Sequence, residues 1–267
     1  MAPSMLELVQ LSPRLFFPPG GEDLYRHIAV LSDLSAGMEV LDVACTRGVA
    51  LEYFVREFEV HGSGVEADAQ LVSETAERCR RRSLADRLQV QVGRADRLPY
   101  RDGIFDVVIG ELGFSSAVDP AVALAELARV TRPGGTIMLV QLVWLAPVEI
   151  ARQEWLGQVL GVQPRMLVEW KRMLLEAGIG DLHTEDWSDT STTFGRVAGK
   201  PFPDFAELFS LPEKLGILRR VLRRWGWSGV GTAWRGNRAV HHLLTHERIL
   251  GLDLIKGTKL PQTEASF

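Results

Sequence analysis

The feature that most constrains this chain is a short apolar run, residues 40–48, that closes in small residues and is followed eighteen positions beyond Gly48 by an acid, Glu66. Val40, Leu41 and Val43 suit a buried strand, and Ala44, Cys45, Thr46 and Gly48 suit a tight turn. An apolar strand, a small-residue turn, a helix and a second strand ending in an acid make one half of a nucleotide-binding crevice. The turn brings backbone close to a ligand, and the acid can accept two hydrogen bonds from ribose hydroxyls. An adenosine-containing ligand is the first expectation.

The spacing argues against a dinucleotide. A G-x-G-x-x-G fingerprint would put glycines at 44, 46 and 49, where this chain has Ala44, Thr46 and Val49. Three further motifs follow. Residues 93–100 carry Gly93, Arg94, Ala95, Asp96, Leu98, Pro99 and Tyr100; residues 105–109 carry Phe105, Asp106 and Val108; residues 119–135 run from Asp119 and Pro120 to Arg129, Val130, Pro133, Gly134 and Gly135. With Asp42 and Gly48, these four motifs resemble class I S-adenosylmethionine (SAM) dependent methyltransferases, in particular the small-molecule branch that includes the ubiquinone and menaquinone enzymes (methyltransferase type 11). The chain departs from that pattern at Thr46, where glycine is usual, and at Arg94, where an acid is usual.

The resemblance implies a Rossmann-like α/β fold: a mostly parallel sheet with helices on both faces, a final antiparallel hairpin strand, and a helical insertion before that strand. It also implies SAM as cofactor, held by Asp42, Ala44, Cys45, Thr46, Gly48, Glu66, Ala67, Ala95, Asp96, Gly110 and Glu111. Asp42 would orient the turn and the SAM amino group, or else cap the next helix. Glu66 would take the ribose, with Asp68 as a substitute if the strand ends later. Ala95 and Asp96 would flank the adenine, and the Gly110 and Glu111 carbonyls would meet the methionine end. Thr46 is expected at negative φ, with its hydroxyl donating to the SAM carboxylate, because a β-branched residue tolerates positive φ poorly. No side chain is assigned as a catalytic base. The transferred group is already activated on a sulfonium, so positioning supplies much of the rate, and a base is needed only if the acceptor loses a proton. The implied activity is methyl transfer to a small, partly apolar metabolite. The alternative is a degenerate SAM-binding protein without transferase activity, motivated by Thr46 and Arg94.

Composition narrows the partners. The chain has 267 residues, 46% of them hydrophobic, and a net charge of −4, which argues against a broad nucleic-acid surface. Two cysteines suggest no disulfide framework. No run is long enough for a spanning helix, and the first 30 residues lack the order of a signal peptide, so a cytoplasmic protein without stable membrane insertion is expected. No metal site is expected: His242 and His246 share a helix face, but no acid or cysteine groups with them.

The secondary-structure reading places a leading helix over 22–35 and strands over 39–44, 60–66, 88–92, 105–109, 136–142 and 181–187. Asp119 and Pro120 read as N-cap and first-turn proline of a helix. Apolar residues at helical spacing predict a helix over 164–177. A second is predicted over 213–226, with Leu215, Leu218, Val221, Leu222 and Trp225 on one side and Arg219, Arg220, Arg223 and Arg224 on the other. A third spans 238–250, and a closing strand follows at 252–256. The whole is taken as a single domain, with core 22–187 plus 251–260 and a helical lid over 188–250. All seven tryptophans fall after residue 143. They are taken mainly as core anchors, with one or two reaching the acceptor. The arginine face is taken as solvated, with an anionic membrane or nucleic-acid surface as the alternative.

Overall fold

The computed structural model describes residues 4–12, 14–15, 17–114, 116, 118–188, 209–242 and 247–261. Its contacts divide the chain into two compact units. One comprises Gly21–Gln141, Leu167–Glu185 and Asp253–Phe267; the other comprises Met1–Gly20, Leu142–Met166 and Asp186–Leu252.

The sheet has the strand order β3-β2-β1-β4-β5-β8-β7, where β1 is Glu39–Val43, β2 His61–Glu66, β3 Leu88–Val92, β4 Phe105–Gly110, β5 Thr131–Trp144, β7 Ile179–Asp186 and β8 Leu250–Lys259. A two-residue strand, β6 (Arg165–Met166), pairs with the end of β5. The pairs from β3 across to β5 are all parallel. β7 and β8 form the antiparallel hairpin, seen in the bonds from Leu260 N to Gly178 O and from Trp187 N to Leu252 O. The expected Rossmann-like architecture is therefore present. Its core is built from Leu41, Leu51, Phe54, Ile109, Leu124, Leu127 and Ile137, all fully buried.

Two local rules fix the helices of this unit. Helix α3 (Val49–Glu57) approaches β2 closely because Gly64 faces it: a Cβ there would lie 2.8 Å from Cys45 Sγ and 3.1 Å from a Leu51 methyl. Helix α5 (Pro120–Val130) starts as its sequence requires, with Asp119 Oδ1 accepting from Ala121 N at 2.9 Å and Pro120 in the first turn. Helix α4 (Ala69–Arg81) is capped by Asp68, whose Oδ1 accepts from Gln70 N at 2.8 Å. The leading helix α2 (Gly21–Leu31) is shorter than expected, and α7 (Leu167–Glu176) is preceded by β6.

The other unit contains α1 (Met5–Gln10), α6 (Ile150–Leu160) and α8 (Leu211–His242). Helix α1 opens on a reciprocal cap between Ser4 and Glu7. Leu8, Phe209, Ile217 and Val221 make a small buried cluster, with Met5, Leu11, Trp225 and Val230 packed against it. Three expectations change here. Helix α8 is kinked at Gly226 (φ 69°, ψ −168°) and continues to His242, so residues 238–242 belong to it and do not start a separate helix, and β8 already begins at Leu250. Leu215 is not on the buried side: the helix is rotated so that Ile217 and Val221 face inward, leaving Leu215 65% exposed. Strand β5 runs on to Trp144, so that tryptophan belongs to the sheet. The polar stretch 189–208, His246 and the tail after 261 lie outside the described residues.

Candidate active site

Register sets the site. Val43 stands opposite Val65 on one side and Gly110 on the other, so the residues that follow, Ala44, Glu66 and Glu111, emerge at one edge of three adjacent strands. Gly93 N donates to Glu66 O at 3.1 Å, which brings residues 94–96 to the same edge. Most of the residues named from the sequence are thus gathered where ligands bind in folds of this type.

The turn after β1 is more strained than expected. Ala44, Thr46 and Gly48 all have positive φ, at 63°, 49° and 61°. The expectation of negative φ at Thr46 is therefore wrong, for a physical reason: Thr46 N donates to Glu66 Oε2 at 2.9 Å, a bond that pins the backbone in the left-handed region. Gly48 N closes the loop on Cys45 O at 2.7 Å. On the outer side, Arg78 donates both to Glu52 and to the Arg47 carbonyl, tying the turn to α4.

Glu66 is half-buried and already oriented. Its second oxygen, Oε1, accepts from Asp68 N at 3.0 Å, so each oxygen carries one backbone bond and keeps a lone pair for a ligand. Asp68 caps α4 and is not a substitute for Glu66. Ala67 lies exposed between them.

Asp42 is fully buried, and among the described residues neither carboxylate oxygen has a hydrogen-bond partner. It does not cap α3, whose N-terminal residue Gly48 has no side-chain cap. Burial, with Glu111 and Glu66 nearby, pushes its carboxyl well above the usual range. Glu111 is 4% exposed and accepts from Tyr25 Oη at 2.8 Å. Its pKa is raised to about 8 by burial, partly opposed by the Tyr25 bond and reinforced by the Glu66 charge. Burial and the same acids raise the Cys45 thiol, which stays neutral and packs under the turn.

At the rim, Arg94 grips Asp96 with two bonds, Nε to Oδ1 at 3.0 Å and Nη2 to Oδ2 at 2.8 Å. That contact lowers the Asp96 pKa and keeps it an ionised acceptor, so Arg94 supports the acid beside it. Ala95 is buried.

Two residues at this site were not anticipated. Tyr25 comes from α2, 86 positions from its partner Glu111, and nothing local marks it. Gln141 donates from Nε2 to the carbonyls of Gly110 (3.2 Å) and Glu111 (3.1 Å), fixing the β4 tip. Its signal was present: a lone amide inside the apolar run 137–144. Nearby in sequence, Phe114 packs on Trp170, a fully buried α7 residue, with ring centroids 5.8 Å apart.

His183 and His27 both pair with Glu185. His242 meets Glu247 at 3.1 Å, so an acid does stand beside it, contrary to the expectation. Trp225 is a packing residue as expected, while Trp227 is exposed.

The arrangement can hold a cationic ligand bearing a ribose. A buried acid without a partner is costly to ionise and is relieved by a positive charge. Glu66 offers two oriented acceptors, and the first-turn amides of α3 follow the turn directly. The residues fit SAM on these observations.

Comparison with known proteins agrees. Residues 41–139 match the family profile of a methyltransferase domain. Over those residues the chain is similar to that family. It is similar to methyltransferase GfsG of Streptomyces halstedii (30% identity over 122 residues, 46% of this chain and 42% of that protein). It is also similar to demethylmenaquinone methyltransferase of Mycolicibacterium paratuberculosis (36% over 124 residues, 45% and 49%). The chain thus spans about half the length of these relatives. Among solved structures, it resembles the [4+2]-cyclase SpnF (21% identity, TM-score 0.69, covering 89% of this chain and 81% of that one). It also resembles a phosphoethanolamine N-methyltransferase of Haemonchus contortus (16%, TM-score 0.70, 96% and 58%). At these identities the structural likeness shows the fold, a Rossmann-like methyltransferase fold.

Proposed function

We propose that the protein is a SAM-dependent methyltransferase acting on a small, partly apolar metabolite. The observation that carries the reading is Asp42, a buried carboxylate with no hydrogen-bond partner among the described residues, set at one sheet edge with Glu66 and Glu111. Three acids at one edge suit a ligand that carries positive charge. SAM supplies, when bound, a methyl group already activated on a sulfonium.

The chain's own residues divide the remaining work. Glu66 accepts the ribose hydroxyls. Asp96, held ionised by Arg94, and the backbone at Ala95 face the adenine. Asp42 and the Gly110 carbonyl take the ammonium end, the Glu111 carbonyl being already engaged by Phe114 N and Gln141 Nε2. The turn from Ala44 through Cys45 and Thr46 to Gly48, whose amides at 44, 45, 46 and 48 bond within the protein, leads to the first-turn amides of α3, which take the carboxylate. Glu111, backed by Tyr25, is the group at this edge able to accept a proton if the acceptor must lose one. Acceptor choice is assigned to residues 188–250. Thr46 and Arg94, the two departures from the family pattern, favour no degenerate reading: Thr46 adopts the left-handed backbone that a glycine would, and Arg94 positions Asp96. The same proposal places the protein in the cytoplasm, supported by its two buried free cysteines.

The test is direct. Mass spectrometry of ligand released from purified protein should find SAM or S-adenosylhomocysteine. Glu66→Ala should weaken both to a similar degree, about tenfold or more, since bonds to a charged group contribute about 1.5 to 3 kcal/mol each. A folded Glu66→Ala protein that binds both as before would remove the assignment.

A further inference from the structure

Helix α8 is electrostatically unlike the rest of the chain. Over Leu211–His242 it carries seven arginines or lysines against one acid, in a protein whose net charge is −4. That acid, Glu213, is engaged by Arg14 at 3.2 Å and by Ser210 at 2.7 Å, so it does not neutralise the arginines further along.

The surface of the helix is also unusual in its apolar content. Before the kink, Leu211, Leu215, Arg219 and Arg223 recur at four-residue spacing and therefore share one stripe. All four are exposed, Leu211 at 75% and Leu215 at 65%. The opposite stripe, Ile217, Val221 and Trp225, packs into the cluster with Leu8 and Phe209. Directly after the kink stands Trp227, 77% exposed. Arg224 adds a guanidinium 4.7 Å over the Trp225 ring. The helix thus spends its buried stripe on its own unit and turns a second stripe, of mixed leucine and arginine, to solvent, with an exposed tryptophan just beyond the kink.

A purely solvated face would have no need of two leucines and a tryptophan. A duplex-binding face would read arginine and lysine without them. Leucines that can sink below the headgroups, arginines that meet anionic headgroups and a tryptophan suited to the interface are the features of a helix lying flat on a bilayer. We propose that the exposed Leu211–Arg223 stripe of α8, together with Trp227 beyond the kink, docks the protein on anionic lipid surfaces, by adsorption without insertion. No helix among the described residues is long and apolar enough to cross a membrane, which agrees with adsorption.

The experiment uses the full chain and sucrose-loaded vesicles, of phosphatidylcholine alone or mixed with phosphatidylglycerol. The protein should sediment with the mixed vesicles and not with the neutral ones. Raising salt from about 0.1 M to about 1 M, which shortens the screening length from about 10 Å to about 3 Å, should release it. Arg219→Ser with Arg223→Ser should weaken partitioning about thirtyfold, and the corresponding double lysine variant should restore it. Leu215→Ser should weaken it without changing the salt dependence. Brominated lipid should quench tryptophan fluorescence in the native protein and markedly less in Trp227→Phe. Equal partitioning to both vesicle types, or binding indifferent to the paired serine substitutions, overturns the proposal. So does binding to duplex DNA at a salt where anionic vesicles are not bound, which would assign the face to nucleic acid.

Discussion

Thr46 occupies a backbone region that a β-branched residue rarely enters, at φ 49°, where an L side chain costs about 1 to 2 kcal/mol. Its amide bond to Glu66 holds it there, so the acid proposed to take the ribose also shapes the turn. Thr46→Gly relieves that cost but gives the unfolded chain about 0.5 to 1 kcal/mol of added freedom. The expected net effect is stabilisation between zero and about 1.5 kcal/mol, read as a higher urea midpoint at unchanged slope. A lower midpoint would show that packing of the Thr46 side chain outweighs the strain. Glu111 gives the pH dependence. Its pKa, raised from near 4.5 to about 8, means the folded protein keeps a proton that the unfolded chain has lost between those values. Its stabilising contribution is therefore complete below about pH 4.5 and declines as pH rises toward 8. Glu111→Gln should flatten that part of the stability profile; an unchanged slope would assign the linkage elsewhere. A cationic ligand favours the ionised acid, so SAM should bind more tightly from pH 6 toward pH 8 and release protons, about one or fewer per site, as calorimetry in two buffers would read. S-adenosylhomocysteine, without the sulfonium charge, should release fewer.

At the scale of elements, β2 and α3 depend on the missing side chain at Gly64. A methyl there would meet Cys45 Sγ at 2.8 Å and Val90 at 3.0 Å, so Gly64→Ala should destabilise by about 1 to 3 kcal/mol through overpacking. Because Cys45 sits in the turn proposed to face the cofactor, the same variant should also weaken SAM binding; thermal shift with and without ligand checks both. Local signals served the elements of this unit well. The Asp119 and Pro120 start of α5 and the alternation of β3 depend on adjacent residues alone, and both appear where the sequence puts them. Helix α8 was less legible. Its apolar arc runs from Val221 round to Leu215, wider than the core it meets, and periodicity cannot say which part of a wide arc is buried. Contact with Leu8 and Phe209 selects the Ile217 and Val221 side.

The whole molecule comprises two compact units, each with its own buried cluster. Calorimetry of the ligand-free protein should therefore depart from a single two-state transition. SAM at about a hundred times its Kd should add about 2.7 kcal/mol to the unit holding Asp42, Glu66 and Glu111, moving that transition more than the other. A single transition that shifts as one would mean the units unfold together. What the sequence by itself determined was the order of strands and helices in the cofactor half, the turn after β1 and the acids near it, because periodicity, caps and motif spacing are properties of neighbouring residues. Tertiary structure alone decided that Tyr25 would meet Glu111, that Asp42 would be buried without a hydrogen-bond partner among the described residues, and that Thr46 would turn left-handed under the hold of Glu66. Those outcomes depend on which strands lie side by side, and strand pairing joins residues that the chain keeps tens of positions apart.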